Sequence, residues 1–230
     1  MAIADNVTRI RDDIVEAAVA VGRSPDEVTL MGVTKTRNAE EIEEVIRAGI
    51  TILGENRVQE ARDKIPAVTG DVRWEMIGHL QRNKVNQTVT LFDAVQSVDS
   101  VRLAEAIDRA VEFGNPRHDP LDVLIEVNTS GEDAKNGVQP DAAVDLVGAV
   151  SELPHLRVRG MMTIGRFVDD ERIVRECFRT LRGLRDSAVS QIPRVDLGVL
   201  SMGMTGDFRW AIAEGSTLIR IGTAIFGSRT

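Results

Sequence analysis

Val28-Thr29-Leu30-Met31-Gly32-Val33-Thr34-Lys35 is an apolar, β-branched run that ends in a lysine. Valine, leucine and methionine occupy both faces of the run instead of alternating with charge, the pattern of a strand covered on both sides in a parallel sheet. An ammonium group at the end of such a strand is costly to desolvate without a partner. The chain holds four lysines, Lys35, Lys64, Lys84 and Lys135, against 24 arginines. Arginine stays charged and cannot act as an amine nucleophile, whereas a partly buried lysine can lose its proton and attack a carbonyl. Lys64, Lys84 and Lys135 read as helical or polar-loop residues, so Lys35 is the candidate for chemistry. The competing reading is a strand-end lysine whose stem packs while its head extends to solvent.

Outward from this strand the chain alternates. Before it, Ile10, Ile14, Ala17 and Val21 form a helical stripe stopped by Gly22 and Pro25. After it, Asn38 with Glu41 makes a capping-box start for a helix carrying Ile42, Val45 and Ile46. Further strands are expected over residues 50–53, 72–77, 92–98, 121–127, 158–164, 195–200 and 217–221, with a helical pattern after each of the first five of these and a short helix after 195–200. Strand–helix alternation implies a parallel sheet. Eight strands in a chain of 230 residues favour an α/β fold of one (β/α)8 TIM barrel over an open doubly wound sheet. No G-x-G-x-x-G follows the first strand, which removes the main support for a dinucleotide-binding fold. The expectation is a single domain over residues 1–230, with an extra N-terminal helix capping the barrel floor and no second β domain.

Composition narrows the function. Hydrophobic residues make up 43% and charged residues 28%, an ordinary balance for a soluble globular chain. A net charge of −8 argues against nucleic acid, whose phosphates demand a basic surface. No apolar run approaches the roughly 18 residues of a membrane span. The opening residues lack the basic and apolar regions of a secretory signal, so a cytoplasmic protein is expected. The single cysteine, Cys177, excludes an internal disulfide and a multi-cysteine metal site, and its place beside Phe178 reads as core. Tyrosine is absent.

Barrel enzymes carry their chemistry at the carboxyl ends of the strands. Here those positions hold Lys35, Asn56, His79, Ser201 and Gly222-Thr223. The loops after strands 7 and 8, where such barrels often seat a phosphate, read Ser201-Met202-Gly203-Met204-Thr205 and Arg220-Ile221-Gly222-Thr223-Ala224. Glycine lets the backbone approach an anion, hydroxyls donate to it, and N–H groups opening a helical turn point at it. A reactive lysine facing such a cradle suits pyridoxal 5′-phosphate. It equally suits an aldolase that forms an imine with a phosphorylated sugar. Arg220, last in its strand but one, either faces a cofactor ring or forms a barrel-end ion pair.

Taken together in order, Val33-Thr34-Lys35-Thr36, Gly54-Glu55-Asn56 with Val58-Gln59-Glu60, Ile77-Gly78-His79-Leu80-Gln81 with Asn83-Lys84, Arg159-Gly160-Met161-Met162, Ser201-Met202-Gly203-Met204 and Arg220-Ile221-Gly222-Thr223-Ala224-Ile225-Phe226-Gly227 resemble the YggS/PROSC family of pyridoxal phosphate homeostasis proteins. That family is similar to the barrel domain of bacterial alanine racemase, a fold type III protein. The resemblance implies that Lys35 carries pyridoxal 5′-phosphate as an aldimine and that Arg220 faces the pyridine nitrogen. It implies that Ser201, Gly222 and Thr223 hold the phosphate, and that Asn56 and His79 line the pocket. Leu53 in place of phenylalanine, Thr205 in place of serine, and Arg209-Trp210 where an acidic residue is frequent depart from the pattern and affect the outer wall of the pocket.

A racemase of this type needs a base on each face of the substrate adduct. The racemases draw the second base, a tyrosine, from a second domain of the partner subunit, and related decarboxylases draw a cysteine. This sequence offers no tyrosine, a mid-helix Cys177, and His79 as the one rim residue able to substitute. His118 and His155 carry no such signal. The expected function is therefore a non-catalytic binder that contributes to pyridoxal phosphate homeostasis, with a weak single-domain racemase as the alternative. PLP-dependent apoenzymes are the expected acceptors, the chain is expected to be a monomer, and Lys84 is a candidate relay site.

Overall fold

A computed structural model describes residues 2–114, 119–132 and 134–227; His118 lies outside them. The strands are β1 (Thr29–Val33), β2 (Ile52–Glu55), β3 (Arg73–Met76), β4 (Ala94–Val98), β5 (Leu121–Glu126), β6 (Leu156–Met162), β7 (Val199–Ser201) and β8 (Leu218–Ile221). They pair in sequence order, all parallel, and close into a barrel when β1 meets β8. Thr29 lies beside Leu218 and Gly32 beside Ile221. The main helices are α1 (Ile3–Ala20), α2 (Ala39–Arg47), α3 (Val58–Lys64), α4 (Val85–Leu91), α5 (Val101–Gly114), α6 (Ala143–Ser151), α7 (Glu171–Gln191), α8 (Phe208–Ala213) and α9 (Thr223–Phe226). The TIM barrel expected from the alternation is the observed fold. No helix among the described residues is long and apolar enough to cross a membrane.

Local sequence explains the element ends. Asn38 caps α2 by accepting from the Glu41 N–H while Glu41 accepts from the Asn38 N–H, a complete capping box. Asp170 caps α7 through the Arg172 N–H. The helix stripes bury Ile42 and Val45 of α2, Leu103, Ile107 and Val111 of α5, and Val174, Phe178 and Leu181 of α7 against the outer face of the barrel. Cys177 is buried in that layer, as its neighbours imply.

Two expectations change. Helix α1 packs against α8, α9 and α2, so it stands in the outer ring and does not close the floor. The reason is the short α9, which leaves the slot after β8 unfilled; Val7, Ile10 and Ile14 of α1 fill it. Arg209 secures the arrangement from α8 by pairing with Asp13 at 2.7 Å and Glu16 at 2.9 Å. Its departure from the family pattern thus concerns α1. The second change is β1, which ends at Val33, short of Lys35. Thr34 still donates its N–H to the Gly54 carbonyl, but Lys35 and Thr36 form a turn, with Thr36 at φ 64°.

Strands β6 and β7 approach closely where Gly160 lies beside Val199. A Cβ at Gly160 would stand 1.8 Å from the Val199 carbonyl oxygen and could be accommodated only by moving a strand. Gly160→Ala is expected to destabilise the fold by about 3 kcal/mol, read as a lower urea midpoint. An unchanged midpoint would contradict this strand spacing.

Candidate functional site

At the carboxyl ends of the strands a cavity of about 580 Å³ is lined by Lys35, Asn56, Arg220, Gly222 and Thr223 together with Val33 and Ile77, the segment Met204–Asp207, Trp210, and loop residues between Ile164 and Asp169. Five of the seven sequence candidates therefore share one space. Ser201 and His79 do not. His79 lines a separate groove of about 540 Å³ with Arg82 and Arg102, and its Nδ1 stands 3.8 Å from an Asp99 carboxylate oxygen. Ser201 is fully buried behind Arg220. Its strand position was legible, but the side chain of a residue in a closed barrel points either inward or outward, and the turn to the inside placed it under the cavity floor.

The turn bearing Lys35 is held from β2 and α3. Thr34 is buried and donates its hydroxyl to Glu55 Oε1 at 2.6 Å. Lys64 donates to the Thr34 carbonyl at 2.7 Å and pairs with Glu55. The Thr36 N–H donates to Glu60 Oε2 at 3.1 Å, and the Arg37 N–H closes the turn on the Thr34 carbonyl at 3.0 Å. A non-glycine residue at positive φ costs roughly 1 kcal/mol, and these bonds over-determine it. Lys64 was expected in ordinary polar surroundings; its side chain is only 10% exposed. A helical period cannot reveal that the last turn of α3 reaches under β1. Lys135 ties the loop after β5 to the cavity loop by donating to the Gly165 carbonyl at 3.0 Å. Lys84 lies in a helical turn outside the cavity lining.

Arg220, on β8, is buried. One terminal nitrogen donates to Ser201 Oγ at 2.6 Å and the other to the Thr163 carbonyl at 2.8 Å. Neither bond is an ion pair. Burial lowers its pKa to about 10, with Asp207 and Glu126 acting through space in the opposite direction, so it remains a cation at neutral pH. Asp207 accepts the Met204 N–H at 2.6 Å and folds the β7–α8 loop back on itself. Burial raises the pKa of this carboxyl, and the Met204 bond and Arg220 oppose the shift. In the same loop Gly203 has φ 99°, and a Cβ there would meet the Ala211 side chain at 2.6 Å. Its carbonyl accepts the Arg220 N–H at 2.9 Å, joining this loop to β8.

The lining sets the Lys35 amine beside groups suited to an anion. Gly222 starts α9 with no side-chain cap, so the opening N–H groups of that turn have no partner within the helix. Thr205, Gly206 and Thr223 complete a small-residue, hydroxyl-bearing wall. Asn56 Oδ1 is buried in the lining with no hydrogen-bond partner in the protein, a group whose desolvation a bound donor would offset. Thr205 was legible as part of its loop. The contribution of residues 164–169 was not, because that stretch carries no motif and reaches the cavity only through the barrel's curvature. No cluster of metal-binding side chains occurs among the described residues.

Comparison with known proteins fits this geometry. The family model for the alanine racemase N-terminal domain matches residues 2–230. The pyridoxal phosphate homeostasis protein of Escherichia coli is 42% identical over 99% of this chain and 97% of its own length. The structure of PipY from Synechococcus elongatus with PLP bound is 32% identical, with a TM-score of 0.85, covering 98% of this chain and all of that one. An alanine racemase of Clostridium difficile shares the fold at 14% identity, with a TM-score of 0.76; the match covers 98% of this chain and 57% of the racemase. A single barrel with a lysine turn beside an anion-type rim is thus the barrel of fold type III. This chain belongs to the alanine racemase N-terminal-domain family, among the pyridoxal phosphate homeostasis proteins.

One buried acid near Arg220 makes stability depend on pH. Glu126 ends β5 with Oε2 buried and unpartnered. Burial, reinforced by Asp99 and opposed by Arg220, pushes its carboxyl up to about 7. A folded pKa above the unfolded one means that the native state binds the proton more tightly. Stability is then lost as pH rises between the two values, and the loss is complete above the folded pKa. Glu126→Gln is expected to exceed the wild type by roughly 2 kcal/mol near pH 8 and to match it near pH 4. Denaturation at the two pH values checks this; parallel curves would show that Glu126 does not titrate there.

Proposed function

We propose that this protein binds pyridoxal 5′-phosphate through Lys35 and holds it without turning over amino acids, keeping the free aldehyde low in the cytoplasm and releasing it to apoenzymes that need it. The observation that carries the reading is the single cavity bringing Lys35, Arg220 and the Gly222-Thr223 wall together. Lys35 would hold the cofactor through its amine, the one group of the lining able to condense with an aldehyde with loss of water. Gly222, Thr223 and the β7–α8 loop would hold the phosphate, where backbone N–H groups and hydroxyls would offset its charge. Arg220 would face the ring nitrogen, and Asn56 would supply an acceptor for a ring substituent. Ser201 acts behind Arg220, and His79 stands outside the contact set. The cofactor supplies an electron sink; a cationic guanidinium at the ring nitrogen disfavours its protonation and so weakens that sink. The PLP-bound relative supports the choice of ligand over a phosphorylated sugar.

Lack of turnover is supported by the side chains on hand. Racemisation needs a second proton-transfer group across the adduct from lysine. His79 lies in the neighbouring groove, Cys177 is buried in α7, and the sequence has no tyrosine. The protein acts as a monomer, which light scattering of the purified chain tests: a stable dimer would contradict it.

Added pyridoxal phosphate is expected to produce a visible imine band that D- or L-alanine leaves without exchange of the α-hydrogen. Exchange at a measurable rate would favour the racemase reading. No band would remove both. Borohydride reduction followed by peptide mass analysis is expected to mark Lys35, and Lys35→Ala to abolish the mark at that site while the circular dichroism is kept.

A further inference from the structure

The barrel interior contains a directed chain of hydrogen bonds that the cofactor contacts do not use. Arg220 donates to Ser201 Oγ at 2.6 Å, Ser201 donates to Gln96 Oε1 at 2.7 Å, and Gln96 Nε2 donates to Glu75 Oε2 at 2.6 Å. Glu75 Oε1 accepts from Arg73 Nε at 2.7 Å, and Arg73 reaches Asp122 at 2.7 Å near the barrel floor. Gln96 and Ser201 have no exposure, and Glu75 and Arg220 are buried. The chain crosses the inside of the barrel from β8 through β7 and β4 to β3.

Its direction is forced by what each group can do. A guanidinium only donates and an ionised carboxylate only accepts. Ser201 has one proton and, having accepted from Arg220, must give that proton to an acceptor. Gln96 therefore turns its carbonyl to Ser201 and its NH₂ to Glu75. The reversed amide would set its carbonyl against the carboxylate and leave the serine proton without an acceptor. Arg220 is thereby fixed in orientation by a neutral relay that ends on a carboxylate, and no acid touches it directly.

We infer that Gln96 and Glu75 are positioning residues for Arg220, aiming its guanidinium at the ring of the bound cofactor from the far side of the barrel. The inference rests on the cofactor reading above and deepens it. With Gln96 unable to accept, Ser201 can turn its proton elsewhere, and the guanidinium, left with the Thr163 carbonyl as its one fixed acceptor, can shift toward Glu126 or Asp207, both of which already attract it. The cationic group at the ring nitrogen then moves, and the electron distribution over ring and imine moves with it.

Titration of wild type, Gln96→Leu and Gln96→His with pyridoxal phosphate tests this, with the visible band followed from acid to alkali. Gln96→Leu keeps the volume and removes both bonds; Gln96→His restores one acceptor and one donor. Gln96→Leu is expected to form the Lys35 band with a dissociation constant about tenfold higher and a shifted pH midpoint for the imine. Gln96→His is expected to return both toward wild type. A wild type without the band overturns the cofactor reading itself. A wild-type band that Gln96→Leu reproduces in both affinity and midpoint leaves that reading standing and overturns the relay. So does a weaker affinity with an unmoved midpoint, because lost packing alone lowers affinity without redistributing charge on the ring. Should Gln96→Leu fail to fold, Ser201→Ala cuts the same chain one bond nearer Arg220 and carries the same expectations and the same overturning results.

Discussion

The pairing of β1 with β8 is the constraint on which the site depends. It joins segments almost two hundred residues apart and closes the sheet, which removes both edges and buries every strand on two faces. Its register puts Gly32 beside Ile221, so the residues that leave the two strands, Lys35 and Gly222-Thr223, emerge side by side. A Cβ at Gly222 would lie 3.3 Å from the Val33 carbonyl oxygen, which measures how near the two loop starts are. A one-residue slip would turn Arg220 from the interior to the helical layer. The placement of Lys35, of Gly222-Thr223 and of the buried Arg220 is thus a consequence of one ladder.

Closure also creates the problem that the interior polar groups solve. A barrel of eight short strands is filled by side chains, and here several are polar or charged: Glu75, Gln96, Ser201 and Arg220. Leaving such groups unpaired in the interior would cost several kcal/mol each. The bonds run in one direction from Arg220 at the top through Ser201 and Gln96 to Glu75, which Arg73 meets from below as a second donor, so the cost is met without placing a carboxylate on Arg220. The price of a direct ion pair would have been a guanidinium pulled off the cavity axis. Glu126 and Asp207 stay within electrostatic reach and out of contact, which keeps Arg220 charged while leaving its position to the neutral relay.

The outer ring follows the same economy of parts. The short α9 cannot cover β8 and β1, and the ring is completed from the other end of the chain by α1. Asn6 donates to the Ile225 carbonyl at 2.8 Å and Arg11 to the Gly49 carbonyl at 2.7 Å, so the helix is fastened at both ends of the barrel wall. The wall behind the Lys35 turn and the Gly222 loop is therefore supplied by the first twenty residues.

The sequence by itself determined the eight-strand alternation, the parallel sheet, and Lys35 as the lysine of interest, because apolar periodicity and residue chemistry are local properties. It also marked Asn56, Arg220, Gly222 and Thr223, since residues at strand ends in a barrel share a rim whatever the packing detail. Tertiary structure decided the direction in which each side chain turned. Ser201 went inward to Gln96, His79 outward to Asp99, Lys64 under the Lys35 turn, and α1 into the eighth helical slot. Each of these depends on strand tilt, on register and on which neighbour had a bond to complete. Those quantities are fixed only when the ring closes, since a hydrogen-bond partner a hundred residues away leaves no trace in the spacing of the residues around it.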